Sequence, residues 1–329
     1  MSDIQTTYCD EIATAAEMLR EGKLVAFPTE TVYGLGADAT NSSSVARIFE
    51  SKGRPSFDPL IVHIEQLGDV HEFVSDFGPL AQQLAEAFWP GPLTLVLPKT
   101  DRIPDLVTAG LPGVGIRMPQ HPVARELLRA TKRPLAAPSA NPFGGISPTT
   151  AQHVYDGLAG KIDGILDGGP CSVGVESTVL SLMLEQPTIL RPGGLPIEEF
   201  EKVVGPVARV AADPSREDAA QPSPGMLSRH YSPRTCLFLC EEHESVAPLD
   251  GKRTGLLTYG DLPTGAGFAE IRQLSAESDL RTCAVNFFAA LRSLDSHDLD
   301  VIIARKFPDK DLGVALNDRL RRASNGAGR

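Results

Sequence analysis

Residues 24–36 read Leu24-Val25-Ala26-Phe27-Pro28-Thr29-Glu30-Thr31-Val32-Tyr33-Gly34-Leu35-Gly36. The opening run is apolar, has the length of a buried strand, and stops at a proline that cannot donate to a ladder. A hydroxyl-rich turn and two glycines follow, and small residues there let a ligand approach the backbone. The Gly-x-Gly spacing matches neither a Walker loop nor a dinucleotide fingerprint, so an ordinary β-turn explains it equally well. Working outward, apolar runs recur at 60–64, 93–97, 113–118, 135–137 and 175–180. Between them lie helical stretches at 42–50, behind a capping cluster at 41–44; at 78–88, ended by Trp89-Pro90-Gly91; and at 122–130, entered through a proline. Strands alternating with helices predict a mixed α/β domain.

The chain has 329 residues, enough for about two domains. Apolar periodicity breaks down over 204–233, where Gly205, Pro206, Pro214, Pro222, Pro224, Gly225 and Pro233 interrupt the chain, and this stretch reads as a linker. Beyond it, apolar runs at 235–239, 254–258 and 299–304, with amphipathic stretches at 280–294 and 312–322, predict a second, smaller α/β unit. The tail 323–329 reads as frayed.

Composition narrows the function. Hydrophobic residues make up 42% and charged residues 22%, the first 23 residues are too acidic for a signal peptide, and no long apolar run occurs, so a soluble cytoplasmic protein without membrane contact is expected. Cys9, Cys171, Cys236, Cys240 and Cys283 form no CxxC frame, which argues against a zinc site or a disulfide scaffold. Residues 1–205 carry 15 Lys+Arg against 25 Asp+Glu, a balance of -10, and the remainder 16 against 17, a balance of -1, together the -11 of the chain. Such an acidic first half disfavours a binder of nucleic-acid backbones, apart from a local patch.

Several residues have chemistry beyond scaffolding. Lys52 and Arg54 flank Gly53 ahead of Pro55, and a point charge beside a planar fork suits a polyphosphate; a solvated helix C-terminus is the alternative. His63 and Arg117 each end an apolar strand, where they could face a ligand or make only structural bonds. Arginine at such a point suits a carboxylate. The segment Pro138-Ser139-Ala140-Asn141-Pro142, continued through Ser147 into an expected helix, offers hydroxyls, an amide and helix-start N–H groups to an anion or a base, or simply a turn with Ser147 as its N-cap. Ser177 and Thr178 lie on one strand and Arg191 ends another. Finally, Arg229-His230-Tyr231-Ser232-Pro233 gives the linker an aromatic and basic character that a plain tether does not need.

Taken in order, FPTETVYGLG, SKGRP with PLIVH, GIRMP, APSANPFGGISPT, VESTV and LRPG resemble the YrdC family over roughly residues 10–200, and PGMLSRHYSP with the following domain resembles its two-domain threonylcarbamoyl-AMP synthases. The resemblance implies a YrdC-like catalytic domain at 8–203 with a twisted, open mixed sheet, a linker or lid at 204–233, and a small Rossmann-like domain at 234–329. It implies that L-threonine, bicarbonate and ATP become threonylcarbamoyl-AMP and pyrophosphate, for N6-threonylcarbamoyladenosine in tRNAs reading ANN codons, with a threonylcarbamoyl transferase complex acting downstream. Thr31, His63, Arg117 and Ser177 would line the threonine site; Lys52, Arg54, Asp58, Ser139, Asn141, Ser147 and Arg191 would hold ATP. Lys52, Arg54 and Arg117 would carry the catalytic charge, and Tyr231 would close the lid. Mg2+ would ride on ATP phosphates, without ligands from protein side chains. Asp58 and Gly113 depart from the family pattern. Rival readings are a double-stranded RNA-binding module, which would leave a weak RNA contact as its trace, and a carbamoyltransferase of the hydrogenase-maturation type, whose zinc-finger segments this chain lacks.

Overall fold

The computed structural model describes residues 4–210, 230–263 and 267–325. Its first sheet comprises β1 (Thr7–Cys9), β2 (Val25–Phe27), β3 (Gly34–Asp38), β4 (Ile61–His63), β5 (Leu93–Pro98), β6 (Gly113–Arg117), β7 (Leu135–Ala136), β8 (Gly164–Leu166), β9 (Thr178–Ser181), β10 (Thr188–Arg191) and β11 (Ala208–Arg209). The order is β1-β8-β2-β3-β7-β4-β6-β5-β9-β10-β11, with parallel and antiparallel neighbours intermixed. A second sheet, β12 (Cys236–Cys240), β13 (Thr254–Thr258), β14 (Glu270–Gln273) and β15 (Val301–Arg305), is parallel throughout in the order β12-β15-β13-β14. Its inner strand β13 is buried along its whole length, as expected where a parallel sheet is covered.

Local sequence explains the elements that carry the site. Asn41 Oδ1 accepts the Ser43 and Ser44 N–H groups at 3.0 and 3.2 Å and starts the helix Ser42–Lys52. Gly53, at φ 62°, stops that helix and leaves Lys52 and Arg54 at a sharp change of direction. Gly34 and Gly36 lie in β3, where an ordinary turn was expected. The antiparallel pairing of Val25 with Gly36 presses the Phe27 ring against this strand, and a Cβ on Gly36 would stand 2.8 Å from the ring.

Other boundaries also differ from expectation. The strand expected at 175–180 begins only at Thr178; Glu176 and Ser177 line the cavity described below. Ser147 is not an N-cap: Thr150 takes that position, accepting His153 N–H at 3.2 Å at the start of the helix Ala151–Leu158. Within the expected linker, 204–233, Val204 ends the helix Ile197–Val204, and Ala208–Arg209 returns to pair with β10. Residues 211–229 of that linker lie outside the described residues. The tail is ordered further than expected: Leu312–Ser324 is helical and Ala323 is buried.

The two sheets share apolar packing. Val32, Ile146 and Val175 of the first region belong to one buried cluster with Phe287, Phe288 and Leu316 of the second. Gly174, at φ 82°, is required at the seam, since a Cβ there would lie 2.2 Å from the Ala284 carbonyl oxygen. No helix among the described residues is long and apolar enough to cross a membrane.

Candidate active site

Strand ends converge on one cavity. β4 and β6 run parallel with His63 opposite Arg117, so both side chains emerge at the same edge. Ser139 follows β7, Ser177 precedes β9, Arg191 ends β10, and Thr31 follows β2. Arg54, Arg117 and Arg191 all line this cavity and are nearly inaccessible to solvent. Three buried guanidinium groups are thereby brought to one space, and burial of that much positive charge is costly unless it is compensated.

Each cation is held by named partners. Arg117 donates to Glu30 Oε1 at 2.6 Å, to Thr31 Oγ1 at 2.9 Å and to the Gly91 carbonyl at 3.3 Å. Glu30 is fixed in turn by the Gln120 N–H at 3.0 Å. Three of the five donors of a guanidinium are thereby engaged, leaving one on each terminal nitrogen for a ligand. Arg54 donates to the Pro59 carbonyl at 2.7 Å and pairs with Asp58 at 3.0 Å, both side chains being buried. Asp58 is thus the counter-ion of Arg54. Lys52 stands behind the wall, donating to the Ser139 and Asn141 carbonyls. Burial, then the Arg54 charge, holds its amine well below the usual lysine range. Arg191 donates to the Ser177 carbonyl at 2.9 Å and lies 3.3 Å from Ser177 Oγ, which meets Thr94 Oγ1 at 2.8 Å.

His63 is buried beside Arg117. Burial first and the arginine charge second lower its pKa to about 3, which makes the imidazole neutral. Among the described protein groups its Nδ1 has no hydrogen-bond partner. Asn141 anchors the loop after β7 by donating to the Pro142 and Gly145 carbonyls at 2.8 and 2.9 Å, and its Oδ1 is buried without a protein donor. Ser147 donates to Glu176 Oε1.

A strap closes the cavity. Ser232 N–H bonds the Gly144 carbonyl at 2.9 Å, and the His230 ring meets Phe143 edge-on. His230 and Tyr231 line the cavity, and Tyr231 is held at φ 61°, an uncommon conformation for a bulky residue. Burial, followed by the charges of Arg54, Lys52 and Arg191, drives the His230 imidazole well below its usual range, so a neutral ring covers the cations. About 40 Å³ of free space remains, room for a few waters and not for a nucleotide.

Of the residues expected from sequence, Thr31, Arg54, His63, Arg117, Ser139, Ser177, Arg191 and Tyr231 line the cavity; Lys52, Asp58, Asn141 and Ser147 lie one contact behind it. Gly113 starts β6, four residues before Arg117, and is not in the lining. Glu30, Thr94, Glu176, His230 and Arg319 were not anticipated. A carboxylate inside an apolar motif was the available signal for Glu30 and Glu176, since burial there demands a cationic partner.

The family model Sua5_yciO_yrdC, described as telomere recombination, matches residues 17–193, and that of the threonylcarbamoyl-AMP synthase C-terminal domain matches 195–325. A threonylcarbamoyl-AMP synthase of Bacillus subtilis is 44% identical over 334 residues, covering 99% of this chain and 96% of its own length. One of Pyrococcus abyssi is also 44% identical, covering 95% of this chain and 94% of its own. The crystal structure of P. abyssi Sua5 complexed with L-threonine superposes with a TM-score of 0.88 at 43% identity, covering 98% and 97% of the two chains. With two matching domain models, near-full-length relatives and a common architecture, the chain belongs to the two-domain threonylcarbamoyl-AMP synthase family.

Proposed function

We propose that the chain converts L-threonine, bicarbonate and ATP into threonylcarbamoyl-AMP and pyrophosphate in the cytoplasm, feeding a separate threonylcarbamoyl transferase complex that modifies tRNA. The observation that carries this reading is the convergence of Arg54, Arg117 and Arg191 on one enclosed cavity, with Lys52 behind it. Two anionic substrates need such a site, a carboxylate at one end and a triphosphate at the other.

Arg117 takes the threonine carboxylate with the donors left free by Glu30, Thr31 and Gly91, while Thr31, His63 and Ser177 fix the rest of the amino acid. The threonine amine and bicarbonate give a carbamate and water. A carbamate oxygen then forms its bond to the α-phosphorus of ATP as the bond to pyrophosphate breaks. With a pKa of about 3 His63 is too weak a base to deprotonate an ammonium group, so it orients and does not abstract. Arg54 and Arg191 stabilise the transferring phosphate, while Lys52, through the Ser139 and Asn141 carbonyls, and Ser147 shape the nucleotide loop. Among the described residues no cluster of three potential ligands could hold a metal, and Asp58 and Glu30 are engaged by arginines. Mg2+ carried on the ATP phosphates, as the family resemblance implies, would supply further charge neutralisation.

ATP enters only when the His230–Tyr231 strap lifts, and its return shields the carbamate and adenylate from water. Mass spectrometry of the product from ATP, isotopically labelled bicarbonate and a panel of amino acids tests the reading. A labelled adenylate formed with threonine alone, with matching pyrophosphate, is expected; pyrophosphate release that ignores bicarbonate would refute it.

A further inference from the structure

Behind the cavity lining, support does not come from the first domain alone. Arg319, on the helix Leu312–Ser324 of the second domain, has no solvent exposure at all. Its Nε donates to Glu176 Oε2 at 2.8 Å, and its Nη1 donates to the Pro192 carbonyl at 2.9 Å and to Asp318 at 2.8 Å. Its guanidinium carbon lies 5.0 Å from the centre of the Tyr231 ring, within cation–π range. Through Glu176 it reaches Ser147 in the nucleotide loop; through Pro192 it reaches the residue after Arg191; through Tyr231 it reaches the strap. A single side chain of the second domain thus meets three separate parts of the site.

We propose that Arg319 is a positioning residue for nucleotide binding, through which docking of the second domain sets the geometry of the nucleotide half of the cavity. This rests on the adenylate-forming reading above and adds to it a role for the second domain. A purely structural tie would not need this placement. Its Nη2 is buried with no acceptor among the described residues, an unfavourable arrangement that apolar packing would avoid. Other bonds already join the domains: Arg292 to the Ile146 and Ser147 carbonyls, and Asp311 N–H to Glu198. Asp318 and Arg322 complete the charged surroundings of Arg319, with Asp318 also paired to Arg322 at 3.0 Å.

The test is full-length steady-state kinetics of pyrophosphate release, with ATP and threonine varied separately, for Arg319→Gln, Arg319→Lys and the control Glu198→Ala, which removes the acceptor of the Asp311 N–H between the domains, outside the cavity lining. Arg319→Gln is expected to raise KM for ATP by ~10–100-fold while KM for threonine moves less than about twofold, as loss of charged hydrogen bonds on one side of the cavity requires. Arg319→Lys, which keeps the charge and loses the planar fork, should restore part of the ATP affinity, and Glu198→Ala should keep the wild-type KM for both substrates. Equal loss for both substrates, or a fall in kcat that tracks the folded fraction with both KM values unchanged, would mean a structural role and overturn the proposal. Should the single variants fail to fold, the pair Glu176→Gln with Arg319→Met removes both buried charges together and preserves the packing. A folded pair with the wild-type KM for ATP also overturns it, and a raised one supports it. Wild-type enzyme that makes no adenylate would instead sink the underlying functional reading.

Discussion

Replacing Arg117 by alanine should do two separable things. Arg117 and Glu30 are 4% and 3% exposed and 2.6 Å apart, so the substitution strands a carboxylate in the interior with, among the described residues, only the Gln120 N–H left to it. Breaking a buried pair on one side costs roughly 3–5 kcal/mol. For a domain of this size that is a fall in melting temperature of roughly 6–20 °C. Independently, threonine loses a charged hydrogen bond worth ~1.5–3 kcal/mol, which weakens its binding about 10–150-fold. ATP should be affected far less. In a Glu30→Gln background the stability cost of Arg117→Ala should shrink to ~1–3 kcal/mol, since no charge is then left stranded, whereas the threonine defect should persist. Thermal denaturation and isothermal titration of the four proteins separate the two effects. An Arg117→Ala protein as stable as the wild type would refute the argument from burial, and equal weakening of ATP and threonine would refute the assignment of the carboxylate.

Two further outcomes follow from the same geometry. The folded-state pKa of His63, about 3, lies below its unfolded value near 6.5, so the unfolded chain takes up the proton first as pH falls. Stability from this group is complete above pH 6.5 and is lost towards pH 3, by up to ~5 kcal/mol. His63→Asn should flatten that part of the urea-midpoint profile, and an acid limb as steep as that of the wild type would disprove the buried neutral state. Gly193→Ala would place a methyl group 2.3 Å from the Glu176 carbonyl oxygen and 2.4 Å from Ser177 C, backbone that cannot yield cheaply. A loss of ~1–3 kcal/mol in stability is expected, with weaker binding of both substrates as Ser177 and Arg191 shift. Unchanged melting and binding would rule it out.

Much of this was legible in the chain. Strand-ending His63, Arg117 and Arg191 announce themselves as charges at the ends of apolar runs, and topology brings these ends to one place. What escaped notice depends on pairing across long distances. The glycines of β3 look like a turn until the Phe27 ring is known to press on them. Asp58 looks repulsive towards phosphate until Arg54 is seen 3.0 Å away. Arg319 sits in an amphipathic stretch where a basic residue ordinarily faces water, and nothing local distinguishes it from Arg321, which follows it by two residues. Only the partner surface, contributed by residues more than a hundred positions earlier, turns it inward.

The shared packing of Val32, Ile146 and Val175 with Phe287, Phe288 and Leu316 also bears on how such proteins can be shortened. A version ending after the first sheet would expose these three aliphatic residues beside the mouth of its own cavity. To stay soluble it must replace them with hydrophilic ones or find another surface to cover them. Gain or loss of the second domain in evolution is therefore tied to a handful of positions in the first, and a graft between long and short forms that ignores them should aggregate.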